Sequence, residues 1–441
     1  MPLEELFDSL PSDWNYITLG DVCSRGGGNV QTGPFGSQLH ASDYVADGIP
    51  SIMPQNIGDN RLVEDEIARI APQDAMRLSR YRVRKGDIVY SRRGDVERRA
   101  LIREREDGWL CGTGCLRVRL GEKGANPTYT YYYLGHPAVR EWIVRHAHGA
   151  TMPNLNTSIL SALPFVLPPP IEQRAIAGVL CALDDKIELN RRMNETLEAM
   201  ARALFQNRFL DVTQAALPKG WRESTVGAEL VTLLGGTPSR SEPSYWQSGT
   251  IPWINSGKAN EFRVTEPSEF ITKAGLENSS TKLLPERTTI IAITGATLGQ
   301  VSLLEIEACA NQSIVGVLGS ERIPNEFVYF WVKRNIEDLI SRQTGGAQQH
   351  INKDNVNALR IVCPPNNVMR AYICAVRPLF DLIKNNCFES RTLAALRDAL
   401  LPKLLSGELR VPSPRLRPAG VPAAAKLVEA GGQRGRNGRK N

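Results

Sequence analysis

The side chains of this chain best suited to chemistry are amides and guanidinium groups set among glycines. Gly26-Gly27-Gly28-Asn29-Val30-Gln31-Thr32-Gly33-Pro34-Phe35-Gly36-Ser37-Gln38 reads as a loop that joins flexible backbone to the polar groups of Asn29, Gln31, Ser37 and Gln38. Amides of this kind pair bidentately with adenine edges in a major groove. Arg92-Arg93 follows an apolar run and precedes Gly94, an arrangement that suits guanine or phosphate contacts. A second group comes later in the chain: Ser239, Arg240, Asn255, Lys258, Asn260, Gln348, Gln349 and His350. Each residue alone also fits an ordinary surface or turn; as two sets they are candidate readout loops for a nucleic acid.

Catalytic patterns fail on specific residues. Asn126-Pro127-Thr128-Tyr129 lacks the second proline that an adenine methyltransferase motif needs, and no Phe-x-Gly-x-Gly loop accompanies it. Gly257-Lys258 resembles the end of a P-loop, but Pro252 stands where the first glycine belongs and Ala259 where Ser or Thr belongs. The five histidines (His40, His136, His146, His148 and His350) have neither triad nor metal spacing. Eight cysteines form no Cys-x-x-Cys pair, so the reading is reduced, mostly buried thiols and no structural zinc. No catalytic residue, metal or cofactor is expected in this chain.

The elements that must position these loops are signalled by one pattern that occurs twice. Pro168-Pro169-Pro170 is a helix start, and Ile176, Leu180, Leu183, Ile187, Leu197 and Leu204 recur at helical steps on a packing face, predicting a helix from Ile171 to Arg208. Asn190 and Asn194 interrupt that face, either fixing register within a helix pair or turning it toward water. An ungapped offset of 196 residues carries Thr196 onto Thr392, Asn190 onto Asn386 and Pro168-Pro169 onto Pro364-Pro365. Its packing positions are Leu379, Ile383, Asn386, Leu393 and Leu400. Pro378 and Pro402 fall inside this second copy, predicting one break before Pro378 and another near Leu401.

Each helix follows a region of short strands and turns opened by a tryptophan, Trp14 or Trp221. The expected fold is therefore α+β, with two recognition globules separated by two long antiparallel helices in a pseudo-two-fold internal repeat. The expected divisions are 1–165 and 213–362 for the globules, 166–212 and 363–411 for the helical regions, and 412–441 for a basic disordered tail. Separated reading heads suit DNA half-sites, one turn of duplex being roughly 34–36 Å. The formal charge of +6 leans mildly toward polyanions. Neither a signal peptide nor a long uncharged apolar run is present, so the cytoplasm is the expected location.

With these features assembled, the chain resembles the specificity subunit of type I restriction-modification systems. The carriers are Thr32-Gly33-Pro34-Phe35-Gly36-Ser37, Gly236-Thr237-Pro238-Ser239, Tyr245-Trp246, Ile251-Pro252-Trp253, Gly295-Ala296-Thr297-Leu298-Gly299, Pro168 through Arg174, and Leu404-Leu405-Ser406-Gly407-Glu408-Leu409. In the second copy Asn366-Asn367-Val368-Met369 replaces the Ile-Glu-Gln part of the signature. The resemblance implies two target-recognition domains that read a split site in double-stranded DNA. It also implies two modification (methyltransferase) subunits and restriction (translocase and endonuclease) subunits as partners, using S-adenosylmethionine, ATP and Mg. Two other readings stay open at this point: a self-sufficient methyltransferase or nuclease, and a stand-alone sequence-specific DNA-binding adaptor or regulator.

Overall fold

The computed structural model describes residues 3, 10–58, 61–149, 152–209, 217–341 and 351–411. The candidates Gln348, Gln349 and His350 and the basic tail lie outside the described residues. The described residues divide into two compact units, one of residues 3–182 and 397–411, the other of residues 183–396.

In the first unit β1 (Asn15–Thr18) pairs antiparallel with β10 (Pro164–Leu167), bringing the two ends of the globule together. Between them β2 (Gly27–Thr32), β9 (Cys115–Gly121), β6 (Ile88–Ser91) and β7 (Arg99–Leu101) form one four-stranded sheet in that order. A second sheet runs β3 (Tyr44–Val45), β5 (Arg69–Ile70), β4 (Ile49–Ile52), β8 (Leu110–Cys111). The period-two alternation of β9 places Leu116, Val118 and Leu120 in a core with Tyr129, Tyr133 and Phe165, and leaves Arg117 and Arg119 on the other face. The glycine run at its start is not the flexible loop its composition suggests. A helix over Leu19–Gly26 ends at Gly27 (φ 83°), and β2 follows directly. A Cβ on Gly26 or Gly28 would lie 1.8–1.9 Å from the carbonyl oxygens of Leu120 and Arg119, so these glycines serve close backbone pairing with β9.

The second unit repeats the plan. β11 (Arg222–Thr225) pairs with β20 (Arg360–Cys363). One sheet runs β12 (Val231–Leu234), β19 (Ile314–Leu318), β16 (Thr289–Ala292), β17 (Val301–Leu303). The other runs β14 (Glu269–Ile271), β13 (Ile251–Ile254), β18 (Ala308–Ala310), β15 (Leu283–Leu284). Both second sheets are built on one parallel pair, β4 with β8 and β13 with β18. An Ile-Pro pair opens both β4 (Ile49-Pro50) and β13 (Ile251-Pro252), and Gly94 and Gly295 share a left-handed backbone (φ 71° and 73°) behind β6 and β16.

The first long helix spans Pro170–Phe209 and the second Asn366–Leu405. The second is continuous, against the two breaks expected from its prolines. Pro378 lies on the exposed side, where water can satisfy the carbonyl of Cys374, while Tyr372, Val376 and Phe380 are buried in one core. That burial outweighs the roughly 3 kcal/mol penalty of an interior proline. At the other end Leu404 and Leu405 are buried in the first unit's core beside Ile176, Ala177 and Leu180, which holds the last turn past Pro402.

Within the second unit the two helices run antiparallel. Lys186 pairs with Glu389 at 2.9 Å, and Phe209 packs on Tyr372. Asn190 Nδ2 donates to Glu389 Oε2 (2.8 Å) and to the Asn386 carbonyl (3.4 Å), while Asn386 Nδ2 donates to Asn194 Oδ1 (2.9 Å). The asparagines therefore join the seam instead of facing water. Ile383 and Asn386 are buried and Leu183, Ile187, Leu197, Leu379, Leu393 and Leu400 half-buried, but Leu204 is 41 % exposed. Its neighbour Phe205 takes the core position, against Phe327, Phe330 and Tyr372. Deeper still, Glu198 accepts from Arg263 Nη2 (2.6 Å) and the Tyr329 hydroxyl (2.9 Å). Glu305 lies 3.4 Å from Arg263 and 3.1 Å from Arg287, and Arg287 reaches Asp381 at 2.7 Å. Burial pushes the Glu305 carboxyl up to about 7, against the pull of Arg287 and Arg263.

Candidate nucleic-acid interface

In globule one the antiparallel register sets Gln31 opposite Arg117 and Asn29 opposite Arg119. The Arg117 side chain is buried, and its Nη2 donates to Asn29 Oδ1 (2.9 Å) and Gln31 Oε1 (2.7 Å). Its Nη1 donates to the carbonyl of Arg80 (2.8 Å). Arg119 holds both oxygens of buried Asp87, at 2.9 and 2.6 Å. Burial first, then the charge of Arg119, lowers the pKa of Arg117 from its ordinary value, and Asp87 opposes the shift. The Tyr81 hydroxyl donates to Gln38 Oε1 (2.7 Å), and Arg80 lies over the Tyr81 ring. Asn29, Gln31 and Gln38, separated along the chain, are thus gathered around Arg117, Arg80 and Tyr81.

Ser37 is exposed on the short turn Gly36–Gln38. Thr113 Oγ1 donates to the Pro34 carbonyl (3.0 Å), and Arg92 donates its N–H to the Gly114 carbonyl (2.8 Å), so the Pro34 turn and Arg92-Arg93 meet at one end of the first sheet. Arg93 is exposed, and Arg92 is half-buried with its Nε unpartnered among the described residues.

Globule two assembles its candidates differently. Arg240 stacks over Trp246 (3.6 Å to the ring centre) and forms a bidentate pair with Glu269, both contacts at 2.7 Å. The Arg240 hydrogen bonds hold the Glu269 carboxyl below its usual range. Ser239 lies 2.8 Å from Ser241 Oγ, and its carbonyl accepts from Trp246 Nε1 at 3.1 Å. Asn255 caps its own turn by accepting from the Gly257 N–H (2.9 Å), Lys258 is paired with Glu261 (2.7 Å) and Glu266 (3.4 Å), and Asn260 is exposed.

Sequence reasoning missed Arg117, Arg119, Arg80, Tyr81 and Glu269. Arg117 and Arg119 did leave a signal, two charges in alternate positions of an apolar strand. The Asn126-Pro127 fragment has a structural role: Asn126 Oδ1 accepts from the Tyr129 N–H (3.0 Å) at the start of the helix Pro127–Tyr133. Among the described residues no group of three His, Cys, Asp or Glu could hold a metal ion, and no helix is long and apolar enough to cross a membrane. Cys23, Cys111, Cys115, Cys309 and Cys363 are buried, Cys181 and Cys387 half-buried, and Cys374 exposed.

Known proteins are similar to this chain along most of its length. The MjaIX specificity subunit of Methanocaldococcus jannaschii, a type I restriction enzyme component, is 25% identical over 421 residues, covering 91% of this chain and 95% of that protein. The HindI specificity subunit of Haemophilus influenzae is 22% identical over 478 residues, 90% of this chain and 100% of that one. The crystal structure of a type I restriction-modification S subunit from M. genitalium shares the fold, with a TM-score of 0.57 at 17% identity over 90% of this chain and 98% of that one. Residues 11–199 and 218–368 each match the family model of the type I restriction modification DNA specificity domain, one in each half of the duplicated plan, and the chain belongs to that family.

Proposed function

We propose that this chain is a noncatalytic specificity subunit that reads a bipartite, asymmetric site in double-stranded DNA. Each globule reads one half-site, and the paired helices set the length of the unread spacer. The observation that carries this reading is one backbone plan used twice with different polar faces: amides around a buried arginine in globule one, and a stacked, carboxylate-paired arginine in globule two. Two modification subunits dock on it to methylate adenine from S-adenosylmethionine, and restriction subunits join with ATP and Mg. The complex works in the cytoplasm, where the DNA is.

The test exchanges the segment from Asp13 to Leu163 for that of another family member. The altered chain is co-expressed with its modification subunit, and methylated adenines are mapped by single-molecule sequencing. One half-site should change completely while the other and the spacer stay as they were. A change in both half-sites, or in neither, would overturn the modular reading. Methyl transfer by the purified chain alone would overturn its noncatalytic role.

A further inference from the structure

We infer that Arg117 is a positioning residue for specificity: it holds Asn29 and Gln31 so that both present amide N–H donors outward, directing globule one to acceptor atoms on base edges. The inference rests on the proposed reading of a DNA half-site by this globule. A guanidinium has five donors and no acceptor, so an amide within its reach must turn its oxygen inward. Arg117 Nη2 meets Asn29 Oδ1 at 2.9 Å and Gln31 Oε1 at 2.7 Å, which fixes both amides by chemistry. Asn29 and Gln31 are two apart on β2 and therefore share a face. Arg117 Nη1 in turn donates to the Arg80 carbonyl at 2.8 Å and the Arg82 carbonyl at 3.3 Å, which anchors the guanidinium from its other side. Asn29 is exposed and Gln31 half-buried, and neither amide nitrogen has a partner among the described residues.

The consequence differs from free amides at the same positions. A free Asn or Gln offers donor and acceptor together, the pattern that matches adenine N6 and N7; a held amide offers donors, the pattern that matches guanine O6 and N7 or thymine O4. The nearby charge agrees with that polarity. Arg119 and Arg84 act on Arg117 as like charges, and Asp87 is buried and taken up by Arg119. Globule two has no counterpart. There the same register sets Leu233 opposite Gly316 and Val231 opposite Leu318.

Gln31→Glu and Asn29→Asp test this without removing the contact to Arg117, because a carboxylate still accepts from the guanidinium while its outward donors are gone. Each variant is co-expressed with the modification subunit and its methylated sites are mapped. The expected result is a roughly 10- to 100-fold loss at the original site, or a shift of one base in the globule-one half-site toward one offering an amino group, with the other half-site unchanged. Arg117→Leu should relax base choice in that half-site alone, and Arg117→Lys should restore part of it. An original motif methylated as before by both Gln31→Glu and Asn29→Asp would overturn the inference and leave the specificity reading standing. Absence of any motif that depends on the unaltered chain would overturn that reading, and this inference with it.

Discussion

Globule one and globule two agree down to single backbone hydrogen bonds and disagree on the surface those bonds support. Arg92 donates to the Gly114 carbonyl and accepts from Leu155; Ile293 donates to the Ser313 carbonyl and accepts from Ile351 in the same pattern. Asn156 and Asn352 cap matching helices. Yet Asn29, Gln31, Arg117 and Arg119 in one globule correspond to Val231, Leu233, Gly316 and Leu318 in the other. Strand alternation makes this possible, since residues on the core face hold the scaffold while every second residue is free to vary. A sharper contrast lies before β6 and β16. Gly86 (φ 89°) donates to the Ile102 carbonyl, and Arg287 (φ 68°) donates to the Leu304 carbonyl. A left-handed backbone costs a non-glycine residue about 1–2 kcal/mol, and Arg287 is kept there by its contacts to Glu305 and Asp381.

Globule two meets the long helices through buried charge, and substitutions there should have the largest effect. Glu198→Ala leaves the buried Arg263 guanidinium without its main partner and should destabilise the second unit by about 3–5 kcal/mol. A urea midpoint giving a loss below about 1 kcal/mol would show that this network is not what distinguishes it.

A histidine sets the first globule apart. His136 Nδ1 accepts from the Ala138 N–H (3.1 Å), and burial holds its pKa down at about 4. The folded value lies below the unfolded one near 6.5, so the neutral ring's contribution is present above pH 6.5 and lost as pH falls toward 4. Thermal melts at pH 7.5 and pH 5 should differ by roughly 2 kcal/mol from this group alone. His136→Asn should remove that part of the difference, and an unchanged difference would rule the histidine out.

Pro137 and Pro378 affect their helical segments differently. Gly135-His136-Pro137 divides globule one's helical segment into Pro127–Tyr133 and Pro137–His146, where globule two has one helix, Asn325–Ser341. Pro378 divides nothing. Pro378→Ala should stabilise the second unit by about 1 kcal/mol, a fraction of the helix-interior penalty because the backbone has already adapted. Hydrogen exchange showing no added protection around Cys374 would count against this account.

These cases mark where sequence reasoning carries and where it stops. The duplication and the regions of short strands and turns opened by Trp14 and Trp221 were legible because their signals are local. Pro378 was misread because its tolerance depends on Val376 and Phe380 packing against residues distant in the chain. Leu204 was placed in the seam because it continues the apolar recurrence of Ile176, Leu180, Leu183, Ile187 and Leu197 at helical steps. The buried series instead passes through Asn194, Glu198, Ala201, Phe205 and Phe209, which puts Leu204 one position off the core-facing line. The amides of Asn29 and Gln31 were found, but what holds them was not, since Arg117 lies 88 and 86 residues away.

The interlocked asparagines have a mechanical consequence. Sliding one coil past the other by a turn, about 5.4 Å, would break the hydrogen bonds of Asn190, Asn194 and Asn386 across the seam together. Within the second unit the pair therefore has a detent, one register in which all three amides are answered.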